Sequence, residues 1–68
     1  MKYYWVCVMG LNLEDETEIN TCGFWSSIYP SRERIFEEAK VQCELPVVNL
    51  VMSITVMTRE EFDSFLEV

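Results

Sequence analysis

VVNLVMSITVM, Val47 to Met57, alternates almost without interruption: Val48, Leu50, Met52, Ile54 and Val56 fall on one side, Asn49, Ser53 and Thr55 on the other. Successive strand side chains point to opposite faces, so this spacing predicts a strand with one face on a core. The five apolar positions are expected to face the helix side chains Ile35, Phe36 and Ala39, and truncating one of the inner ones, such as Leu50, to Ala is expected to cost about 2–5 kcal/mol. Eleven residues is long for one strand, and a break near Asn49 or Ser53 would make two shorter ones.

The segment before this strand supplies the helix. Pro30 suits a first helical turn, where its missing N–H costs nothing, and Ile35, Phe36, Ala39 and Cys43 recur at helical spacing up to the Glu44-Leu45-Pro46 stop. Arg34 with Glu38 and Glu37 with Lys40 are spaced as exposed ion pairs of small individual effect. After the strand, Thr58-Arg59-Glu60-Glu61 is a capping box, with Met57 and Phe62 placed as its hydrophobic staple. Phe62, Phe65 and Leu66 then mark a narrow stripe on a short terminal helix.

Two further strands precede the main helix. Tyr3 to Leu11 is rich in aromatic and β-branched residues on both faces, as expected of a strand inside a sheet. Asn12 to Glu16 is a polar, like-charged turn, and Thr17 to Trp25 returns as a second strand with Gly23 placed for a bulge. A reversal between Glu14 and Asp15 would set Cys7 opposite Cys22 and Trp5 opposite Phe24; a one-residue slip would set Trp5 opposite Trp25 and exchange the faces. The expected architecture is α+β: a three-stranded sheet, or a four-stranded one if the last strand breaks, packed by one main helix in the order β-β-α-β with a short C-terminal helix. Residues 1–68 make a single domain.

Composition narrows the function. Twelve Asp and Glu against five Lys and Arg, with no His, give a formal charge of −7. Such a field repels phosphates and offers no cluster of cations for counterion release, so direct nucleic-acid binding is not expected. Basic proteins are the natural partners. Half the chain is apolar, which is high for a domain with so little interior and points to a protein interface, with a second copy of the chain as one candidate. Cys7, Cys22 and Cys43 lack metal-ligand spacing and suit a reducing compartment, so neither metal nor cofactor is expected and the cytoplasm is the expected location. No stretch is long and apolar enough for a membrane span. No phosphate loop, nucleophile elbow or catalytic His is present, and the carboxylates and thiols sit where they would behave ordinarily, which argues against an enzyme.

The opening KYYWVCV strand, the SSIYPSRERIFEEAK approach to the helix and the SITVM strand together resemble small bacteriophage proteins that disable host machinery, among them RNA-polymerase inhibitors and some anti-CRISPR proteins. The resemblance is one of architecture, shared with ferredoxin-like fragments and small dimeric regulators. It implies stoichiometric inhibition by occupying a functional surface, in the host cytoplasm. Independently of it, Glu14, Asp15, Glu16 and Glu18 form a concentrated acidic patch on the expected hairpin tip, able to imitate nucleic-acid phosphates on a basic protein. Exposed aromatics such as Trp25 or Tyr29 are expected to supply the anchoring area. The alternative is a homo-oligomeric structural or regulatory protein whose acidic surface only solubilises.

Overall fold

The structure, a computed structural model, describes residues 1–66. Strands β1 (Lys2–Leu11) and β2 (Thr17–Ser26) form a hairpin, followed by helix α1 (Arg32–Cys43), strand β3 (Val47–Met57) and helix α2 (Arg59–Leu66). The three strands make one antiparallel sheet in the order β2-β1-β3. β1, apolar on both faces, is the central strand.

Its Tyr4, Val6 and Val8 point toward α1 and build the core with Cys22, Phe24, Ile35, Ala39, Leu45 and Val48. Ser31 starts α1 by accepting the Arg34 amide at 3.1 Å on its hydroxyl, which places Pro30 just before the cap rather than inside the first turn. Arg34 lies over the Phe24 ring at 4.7 Å and reaches Glu38 at 3.6 Å, tying the helix surface to the sheet beneath it. The Thr58 capping box forms in both directions, with Glu61 accepting from the Thr58 amide and Thr58 from that of Glu61. On the face away from α1, α2 docks through Phe62, whose ring sits 4.0 Å from Tyr3 and 5.4 Å from Trp25. Phe65 and Leu66 stay exposed.

The hairpin register differs from both expected alignments. Val6 faces Cys22, Tyr4 faces Phe24 and Trp5 faces Gly23, so the reversal centres on Glu14. A bond from the Asn12 amide to the Glu16 carbonyl closes the loop around Leu13, Glu14 and Asp15, and Asp15 adopts the left-handed conformation that a loop of this length requires. Gly23 is not a bulge, because the pairing runs through it without a shift. A side chain there would collide with the Tyr3 phenol and the Trp5 ring, which pack across the bare backbone.

β3 remains one strand, but its alternation slips. The pairing with β1 shifts between Cys7 and Val8 and again between Met9 and Gly10, each time leaving a β3 residue without a counterpart. Of the five residues expected to face the helix, Val48 is buried and Ile54 half-buried, whereas Leu50, Met52 and Val56 are 48%, 50% and 40% exposed. Low exposure recurs at Val48, Val51 and Ile54, every third residue. The breaks foreseen near Asn49 and Ser53 are therefore bulges within a continuous strand.

The two sheet edges are unlike. Gln42 both donates to the Gly23 carbonyl at 2.9 Å and accepts from its amide at 3.3 Å. Cys43 donates to the Thr21 carbonyl, the Arg34 guanidinium to that of Trp25, and Asn20 accepts the Thr21 amide. These side chains close the outer edge of β2.

The fully buried leucine in this part of the chain is Leu45, 1% exposed just beyond the helix cap, rather than Leu50 of β3. Leu45→Ala should cost about 2–5 kcal/mol in urea denaturation, close to the whole stability of a domain this small, and Leu50→Ala about 1 kcal/mol or less.

Candidate functional site: an acidic end of the sheet

The hairpin tip is braced by local hydrogen bonds. The Asn12 side-chain carbonyl accepts the amides of Glu14 at 2.9 Å and Glu16 at 3.0 Å, while its amide nitrogen reaches Glu18 at 3.4 Å. Asn20 donates to the other Glu18 oxygen at 3.0 Å, so that carboxylate is held by two amides. Glu14, Asp15 and Glu16 are exposed.

The C-terminal end of α1 comes up beside this tip. Asn12, Leu13, Glu14, Glu18, Cys43 and Glu44 line a shared recess of about 360 Å³. Glu44 belongs to it, although its sequence position suggested only a helix stop. The last carbonyls of a helix add a partial negative charge in the same place. Among the described residues, no three Asp, Glu, Cys or His side chains are grouped so as to hold a metal ion.

The aromatic anchors do not join the acids. Trp25 lies at the other end of β2, on the order of 25 Å from Thr17 at about 3.3 Å per strand residue, with its ring against Tyr3 and Phe62. Tyr29, 64% exposed, packs edge-on against Tyr4 and lines a second groove with Pro30, Arg32, Ile35, Leu50, Val51 and Ile54. The apolar group that does stand at the tip is Leu13, 80% exposed. A leucine inside a run of turn residues was the available signal for it.

Backbone strain is concentrated at the same end. Asp15 (φ 59°) and Glu44 (φ 55°) are the non-glycine residues in the left-handed region among those described, and both are acidic. Glycine would fit either position with less strain.

Two of the three thiols are held toward the protonated form. Burial, aided by the neighbouring Cys43 and Glu38, pushes the Cys22 thiol up to about 11, and burial also raises Cys43. No helix among the described residues is long and apolar enough to cross a membrane. Comparison with protein-family models, curated proteins and solved structures found no match to this chain.

Two outcomes follow from these positions. Glu44→Gly should raise stability by about 1 kcal/mol in thermal melts, because the left-handed cap no longer carries a Cβ. An elevated thiol stays protonated in the fold while the unfolded thiol ionises near its ordinary value of 9.0. Stability should hold below that pH and fall as pH rises from about 9 to about 11, and Cys22→Ala should flatten that part of the profile in urea titrations.

Proposed function

We propose that this protein is a protein-binding module that occupies a basic, nucleic-acid-binding surface of its partner and inhibits it stoichiometrically. The observation that carries this reading is the pairing of strain with charge: the two left-handed non-glycine positions both hold carboxylates, on the same end of the molecule. Strained backbone in a native fold is a pointer to function, since a glycine at either position would be the more stable choice. Glu14, Asp15, Glu16, Glu18 and Glu44 present negative charge on a braced support, which favours rapid encounter with a cationic surface. Leu13, projecting from the middle of the patch, supplies apolar anchoring in place of Trp25 and Tyr29. The architectural resemblance to phage inhibitors of host machinery supports the same reading, and with it a site of action in the host cytoplasm.

An arginine-rich peptide serves as probe. The triple variant Glu14→Gln, Glu18→Gln, Glu44→Gln should bind it about tenfold more weakly, at roughly 0.5 kcal/mol for each exposed ion pair lost, and Leu13→Ala should weaken it further without loss of stability. The control Glu33→Gln, Glu60→Gln, Glu61→Gln changes net charge equally and should bind like the parent. Equal weakening by both triple variants in calorimetric titration would reduce the effect to net charge and overturn the proposal.

A further inference from the structure

The sheet has one edge that nothing closes. β2 is sealed by Gln42, Cys43, Arg34 and Asn20, whereas no side chain among the described residues bonds to the backbone of β3. Val47 to Met57 contains no charge, proline or glycine, so the two bulges are the edge protection that β3 carries. Both register shifts fall in its first part; from Ser53 to Met57 the pairing with β1 is regular.

The direction of the backbone groups in that regular part follows from the other edge. Thr21, Gly23 and Trp25 turn their amides or carbonyls outward to side chains, so their neighbours Cys7, Trp5 and Tyr3 direct their own toward β3. Ser53, Thr55 and Met57, opposite them, bond inward. Ile54 and Val56 therefore point their N–H and C=O groups away from the sheet.

The geometry points to a second copy of this chain as the occupant, paired antiparallel about a two-fold axis at Thr55. Ile54 of each copy then exchanges both backbone bonds with Val56 of the other, and the two Thr55 residues meet as a close, non-hydrogen-bonded pair. Charge limits where a second copy can pair. Two chains of −7 repel each other, but Ser53 to Met57 brings no charged side chain opposite its own image. It also lies remote from the acidic tip beside Leu11 and Thr17, at the end of the sheet where Lys2 and Arg59 offset part of the charge of Glu60, Glu61 and Asp63. The two acidic ends consequently project in opposite directions. α2 leaves the edge clear, because Phe62 draws it across the sheet toward Trp25. Beside the edge, the groove of about 370 Å³ between Tyr29, Ile35 and Ile54 gives apolar side chains of the partner copy a place to bury. The result is a continuous sheet in the order β2-β1-β3-β3-β1-β2. This inference stands apart from the acidic-end reading, which uses the opposite end of the sheet.

Sedimentation equilibrium from low micromolar to millimolar protein tests it. The parent chain should dimerise. Thr55→Lys and Thr55→Glu each set like charges face to face and should weaken the dimer about tenfold or more, while an equimolar mixture of the two should recover it as a heterodimer. Thr55 is exposed, so both variants should retain the parent circular dichroism. As a second measurement on the parent, the Ile54 and Val56 amides should exchange with solvent more slowly as concentration rises, with the Thr55 amide protected throughout. A parent chain that stays monomeric, variants that dimerise like the parent, a mixture that fails to re-associate, or concentration-independent exchange at Ile54 and Val56 would each overturn it.

Discussion

Everything in this fold depends on covering one face of β1. Tyr4, Val6 and Val8 must leave water, and a chain of 68 residues supplies one helix with a stripe able to cover them. Each large apolar side chain so buried contributes roughly 1.5–3 kcal/mol, against a total stability only a few times that size. β1 therefore becomes the central strand, and α1 lies over it with Ile35 and Ala39 in the core. Leu45, held by the left-handed turn at Glu44, closes the end of that contact.

The same placement of α1 determines what remains available to partners. By lying across the sheet, α1 brings Gln42, Cys43 and Arg34 to the outer backbone of β2 and removes that edge from use. Its C-terminus rises beside the hairpin tip, where Glu44 joins Glu14 and Glu18 around one recess. The far side of the sheet receives only the Phe62 end of α2, which leaves the β3 edge open. A single helix thus makes one edge inert, completes an acidic recess and leaves a second edge unpaired.

The acidic end shows how stability and charge compete at particular residues. Asp15 and Glu44 hold backbone conformations that suit glycine, yet each contributes a carboxylate to the same region. Elsewhere the chain meets local preferences closely: Ser31 and Thr58 cap their helices, and Asn12 braces its turn. These departures are confined to one end of a chain that is otherwise locally consistent.

By itself the sequence determined the α+β class, the element order, the helix stripe and the Thr58 cap, because each rests on local spacing or on residues within a few positions of one another. It also located the acidic tip, since four carboxylates and a turn are adjacent in the chain. Tertiary structure alone decided the hairpin register, which depends on Asp15 accepting a left-handed conformation, and the two bulges that turned a two-residue alternation in β3 into a three-residue one. It likewise separated Trp25 and Tyr29 from the acids and brought Glu44 to them, because distances across a sheet are fixed by strand pairing and helix placement, neither of which is encoded in nearest neighbours. The difference between a sealed β2 edge and an open β3 edge arose the same way, from Gln42 meeting Gly23 across 19 positions of chain.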